Sequence, residues 1–226
     1  MQRGRLVIVL LAFAFVALAN RACADVRNLW PGYGSLPGTE LQKAAEEKSI
    51  AGTDQLYRGE QSKASTDASA RGWKQIAQGD LTDAMRSFNQ ARLLDNSNGS
   101  ALWGMAVIEA RSGTVDESLR LFAEADKSVG SDIAFSVDYA RALGTAGFEL
   151  HDEALLKAAF DRFEQNYRRA PENTMNLQNW AIALFCKENY SEAWAKIKLA
   201  EATPGKSALD PRFLAALQMH MPRPKD

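Results

Sequence analysis

The sequence predicts an all-α fold: about four helical hairpins stacked in series and closed by a C-terminal capping helix. Three observations carry this. Small and apolar residues recur at a period of 34. Alanine, leucine, glutamate, lysine and glutamine abound, whereas alternating β-branched runs are missing. Past Pro204-Gly205, "DPRFLAALQMH" forms one more amphipathic stretch with its own start signals.

The first element is expected to be removed. Met1 to Arg5 carries two arginines and no acid, and Leu6 to Ala19 is an apolar run of 14. Ala22-Cys23-Ala24 then precedes Asp25, which completes the three-part layout of a secretory signal peptide over 1–24. A membrane-spanning helix needs about 20 apolar residues, so the run is short for a permanent anchor, and no membrane span is expected after cleavage. The expected compartment is the periplasm of a Gram-negative bacterium. An alternative keeps Cys23 as a lipidated N-terminus at the outer membrane, although Asn20-Arg21-Ala22 before it fits such processing poorly.

Cleavage leaves 202 residues with 24 basic and 28 acidic side chains, a net charge of −4. That balance lacks the electrostatic footprint of a nucleic-acid binder. It also leaves Cys186 as a lone thiol, which excludes an internal disulfide framework and favours burial as a small hydrophobe.

Residues 25–64 read as a flexible leader. "DVRNLWPGYGSLPG" is rich in proline and glycine and has no period. Thr39-Glu40-Leu41-Gln42 resembles a capping box opening a short helix to about Lys48. Trp30 and Tyr33 serve either as a docking motif or as a segment folded back on the hairpins.

The repeat follows. In "QGDLTDAMRSFNQARLLDNSN" and "SGTVDESLRLFAEADKSVGSD", Gly79 matches Gly113, Phe88 matches Phe122 and Ala91 matches Ala125, each 34 residues apart. Ala84 and Ser118, and Met85 and Leu119, fall in the same register. One hairpin cannot bury its apolar face alone, so a fixed period carrying a fixed helical face marks stacked units. The units are 65–98, 99–132, 133–173 and 174–203. The third holds seven extra residues, expected in its turn or its second helix, with its first helix running through Ala140 and Leu143 to Gly147. In the fourth, Trp180, Ala181, Leu184, Tyr190, Ala193 and Ala200 keep the register. Residues 204–226 supply the capping helix and tail; Asp210 suits its N-cap and Pro211 its first position.

Gly72, Gly79, Ala84, Phe88 and Ala91, and then Ala106, Gly113, Ser118, Phe122 and Ala125, place small and aromatic residues where the tetratricopeptide repeat family has them. The chain therefore resembles an exported bacterial member of that family. The resemblance implies a tetratricopeptide-like α-solenoid that binds a protein partner, a peptide or helix segment, in its concave groove. By register, the groove residues would be Trp73 and Ile76, then Trp103, Val107 and Arg111, then Arg141, and finally Gln178, Ile182 and Phe185. Arg71 and Gln75 depart from the pattern, which has leucine and tyrosine there.

No chemistry competes with this reading. His151 and His220 lack metal-ligand spacing, so neither a metal nor a cofactor is expected. "GYGSLPG" lacks the strand and the Gly-Lys-Ser/Thr of a phosphate loop, and no G-x-S-x-G elbow occurs. Arg168 and Arg169 suit a helix C-terminus without needing an anion. The expected function is a non-catalytic periplasmic scaffold. The alternatives are a lipid-anchored assembly factor for pili, secretion or envelope biogenesis, and a regulatory subunit of an envelope enzyme. The sequence sets no oligomeric state.

Overall fold

A computed structural model describes residues 60–224, together with Lys48, Ala51 and Gly52. The signal segment, Cys23, Trp30, Tyr33 and the glycine-rich "GYGSLPG" lie outside the described residues. Within them the structure is all-α, with nine helices: α1 (Gln61–Gln78), α2 (Leu81–Leu94), α3 (Gly99–Ser112), α4 (Val115–Val129), α5 (Ile133–Glu149), α6 (Glu153–Arg169), α7 (Thr174–Cys186), α8 (Tyr190–Glu201) and α9 (Pro211–His220). Consecutive helices pair as α1/α2, α3/α4, α5/α6 and α7/α8. The described helices fall into two compact units, α1–α4 and α5–α9.

One device builds all four hairpins. At each turn a residue enters the left-handed region: Gly79 (φ 83°), Gly113 (φ 77°), His151 (φ 54°) and Glu188 (φ 58°). The next residue sends its N–H back five positions, from Asp80 to Gln75, Thr114 to Glu109, Asp152 to Gly147 and Asn189 to Leu184. These bonds satisfy carbonyls that a helix C-terminus leaves open. In three of the turns that same residue then caps the second helix, because the side chains of Asp80, Asp152 and Asn189 accept backbone N–H groups of α2, α6 and α8. Asn98, Asp132, Asn173 and Asp210 cap α3, α5, α7 and α9 in the same manner.

The first unit is centred on Phe88, Phe122, Leu102, Met105, Ile108 and Leu121, all at most 2% exposed. Ser65 ties its two hairpins together, donating to the Ala91 carbonyl at 2.7 Å and accepting from Asn98 Nδ2 at 2.7 Å. The two polar departures from the family pattern are paired across the first hairpin. Arg71 donates to Gln90 Oε1 at 2.8 Å, and Gln75 Oε1 accepts from Ser87 at 2.7 Å. Outside, Arg120 joins Glu117 and Glu124, and Glu124 lies 3.7 Å from Arg92.

In the second unit Phe135, Phe163, Leu177, Ile197 and Leu217 are fully buried. Its hairpins share an amide pair: Asn166 Nδ2 donates to Asn176 Oδ1 at 3.1 Å, and Asn176 Nδ2 to the Phe163 carbonyl at 2.9 Å. The longer third repeat differs from expectation. Relative to the second repeat, α5 gains three residues, the turn one, α6 two and the following loop one. Helix α5 thus continues past Gly147 to Glu149. Spreading the insertion keeps the α5/α6 pair in contact, since both helices lengthen together. A Cβ on Gly147 would sit 2.7 Å from Leu156 Cγ and 2.9 Å from its backbone nitrogen, so the two helices approach closely beside the turn.

Candidate functional site

In the first unit, α1 and α3 pack side by side. Trp73 of α1 and Trp103 of α3 meet edge-to-face, with ring centroids 4.6 Å apart at 63°. Both rings are half-buried. Trp73 is fixed on two further sides. Its Nε1 donates to Ser100 Oγ at 2.9 Å, and its ring meets the core ring of Phe88 at 5.5 Å and 74°. Ile76, one turn from Trp73, is half-buried, and Arg111 at the end of α3 is exposed. The pair is thus a rigid aromatic feature whose polar atom on Trp73 is already committed within the fold.

The other expected groove positions part company. Val107, at 3% exposure, is core and presents no surface. Arg141 is exposed and lies 3.3 Å from Asp138, one turn earlier on α5. Ile182 is half-buried. Gln178 and Phe185 are 6% and 5% exposed, which corrects their placement on an open surface. The physical reason is α9. Gln178 Oε1 accepts the N–H of Asp210 at 2.6 Å, and Phe185 is ringed by Tyr190, Phe213 and His220 at 5.4, 5.8 and 5.1 Å.

The structure also shows a cluster that the repeat register did not single out. Lys196 Nζ sits 3.6 Å from the Trp180 ring centroid, and Trp180 stacks on Phe163 at 13°. Burial lowers the Lys196 pKa, partly countered by Glu192 and Glu164. Arg162 lies 4.3 Å over Tyr139. The Tyr167 ring of α6 meets Trp180 as well, at 6.3 Å and 65°; which cation would cover these rings depends on how α6, α7 and α8 pack.

Cys186 is free and partly buried, and burial pushes its thiol up to about 12. A thiol held protonated is a poor nucleophile. Among the described residues no group of three or more His, Cys, Asp and Glu is placed to hold a metal ion. No described helix is long and apolar enough to cross a membrane. An open depression of about 370 Å³ lies between Asn173–Met175 and Pro204–Ala208, lined mainly by apolar atoms. Glu172 also lines it, and the Thr174 hydroxyl is paired with that of Thr203.

No family model matches this sequence, and no curated protein sequence does. The crystal structure of a thermophilic TPR protein from Thermus thermophilus matches with a TM-score of 0.61 at 18% identity, over 71% of this chain and 84% of that one. At that identity the likeness speaks to fold alone. The chain has the tetratricopeptide-like α-solenoid fold, here as four helical hairpins with a C-terminal capping helix.

Proposed function

We propose that this tetratricopeptide-type chain is a non-catalytic adaptor, exported to the periplasm of a Gram-negative bacterium, that holds a peptide or helical segment of another protein on the α1/α3 face. The observation that carries the reading is the half-buried Trp73–Trp103 pair. Large aromatic side chains held in one geometry lose little entropy on binding and most often dominate interface energies. Ser100 and Phe88 hold Trp73 on two sides, which pre-organises the surface before a partner arrives. Ile76 extends the apolar contact, and Arg111 adds a cation for a carboxylate on the partner. Export is supported by the charged, apolar and small-residue sequence of positions 1–24.

Affinity capture from the native envelope with wild type and Trp103→Ala tests the surface. The wild type should retain a partner that the variant loses while keeping its helical content. Identical partner sets would remove the α1/α3 face from the proposal. Mass measurement of the mature N-terminus tests export separately: a chain beginning at Asp25 is expected, and a lipid-modified Cys23 would replace the soluble adaptor by an anchored one.

A further inference from the structure

Helix α9 covers two positions that the family resemblance assigns to partner contact, and it shows what those positions hold. The Asp210 N–H reaches Gln178 Oε1, and Phe213 meets Phe185 edge-on at 82°. Leu217 is fully buried against the same cluster, and His220 closes on Phe185 and Tyr190, each at 5.1 Å. Phe213, Leu217 and His220 are spaced four and three residues apart, so they form one stripe on one face of the helix. Past the helix, the Met221 carbonyl accepts from Trp194 Nε1 at 3.0 Å, and Arg223 pairs with Glu201. The seat therefore holds an aromatic, a leucine one turn later and an arginine beyond the helix end.

The hold on α9 is modest for a core element. Of its ten residues only Phe213 and Leu217 are buried, Leu214 and Ala216 are partly buried against the same cluster, and residues 202–210 join the helix to α8 as a separate connection. An element with few buried apolar contacts opens at lower cost than the hairpins beneath it.

We propose that α9 with its tail is a resident, displaceable ligand of the fourth hairpin, and that its seat accepts in trans an amphipathic helix of a partner bearing the same aromatic–leucine–arginine pattern. The tethered helix competes at a high effective concentration, so only a partner helix that outbinds it gains entry. The inference deepens the protein-binding reading, but it stands on the second unit and is independent of Trp73 and Trp103.

The test uses the full chain and a fluorescent peptide of residues 209–224, followed by anisotropy. In Phe213→Ser/Leu217→Ser, α9 loses both anchors while the seat is unchanged, and the peptide should bind at least about tenfold more tightly than to wild type. A peptide carrying the same two serines should bind neither chain. Equal binding to both chains, or no binding to a variant that still melts cooperatively, overturns the proposal. Concentration-dependent dimers of wild type that the variant cannot form would overturn it in favour of α9 exchange between copies. If the variant does not fold, amide exchange on wild type decides: α9 amides should exchange at least about tenfold faster than those of α7 and α8, and equal protection would sink the idea.

Discussion

The ring of Phe88 lies so close to Gly104 that a Cβ there would stand 2.1 Å from its Cζ atom. A Cβ on Gly72 of α1 would likewise stand 2.6 Å from Cε1. The ring fills the space that two missing side chains leave between α1, α2 and α3, and it is fully buried. Gly104→Ala should therefore destabilise despite alanine's better helix propensity. Overpacking costs about 1–3 kcal/mol, and propensity returns about 1. The expected result is a lower urea midpoint. Phe88→Leu in the Gly104→Ala background should recover part of the loss, giving a coupling of about 0.5–3 kcal/mol in a double-mutant cycle. Because Phe88 also contacts Trp73, the emission of the tryptophan pair should shift in Gly104→Ala.

The four turns share one backbone but not one residue. Glycine holds the left-handed position at 79 and 113, whereas histidine and glutamate hold it at 151 and 188. A side chain in that region costs about 1–2 kcal/mol, part of which glycine returns through the entropy of the unfolded chain. Glu188→Gly should stabilise by about 0.5–1 kcal/mol, and Gly113→Ala should destabilise by about as much. Chemical denaturation of both variants checks the pair; a destabilised Glu188→Gly would mean that its side chain contributes more than the backbone strain removes.

These turns show what the sequence made legible. Where glycine marked the turn, the 34-residue period and the hairpin boundaries could be read directly. At His151 and Glu188 the side chain gives no such mark, and only the backbone identifies the position, through its positive φ and the back-bond of the next residue. The course of the third repeat was obscured for the same reason. Its apolar stripe continues through the extra residues, so Gly147 resembles a stop but is a contact point inside α5. At the candidate site, register placed Trp73 and Trp103 on neighbouring helices. Register alone did not show that α9 would cover Gln178 and Phe185, because a repeat pattern describes each hairpin and not what stacks on the last one.

Cys186 should behave as an inert thiol. The folded state holds it protonated with a pKa of about 12, against 9.0 for an ordinary thiol. At pH 8 the thiolate fraction, and hence the rate of disulfide exchange with an aromatic disulfide reagent, should be on the order of a thousandfold below that of the unfolded chain. The sign for stability follows. The neutral thiol is compatible with burial, so its contribution is intact below pH 9.0 and falls as pH rises toward 12. Rapid labelling under native conditions would show that the α7 C-terminus opens readily.

Asp210 combines a cap with a charge. Its carboxylate accepts from the Arg212 side chain and backbone N–H, and these bonds lower its pKa below the ordinary value of 3.8. A depressed carboxylate contributes above its unfolded pKa, and the contribution is lost as pH falls through the folded one. The Arg212 amide resonance should therefore titrate with a midpoint below 3.8, and Asp210→Asn should keep the cap but abolish the titration. A midpoint at or above the ordinary value would mean that the cap bond is not held in solution.

The amide pair between the third and fourth hairpins should be costly to break from one side. Asn166 and Asn176 are both fully buried, and Asn176 serves Asn166 Nδ2 and the Phe163 carbonyl at once. Asn176→Ala leaves Asn166 Nδ2 without its acceptor in a fully buried site, and such a group costs about 1–3 kcal/mol, whereas the Phe163 carbonyl inside α6 keeps its helical bond. The single variant should lose roughly 1–3 kcal/mol. Adding Asn166→Ala removes the orphaned donor, so the double variant should lose less than the two single losses combined. Equilibrium unfolding of the four chains measures this directly. Simple additivity would show that the two amides do not depend on one another.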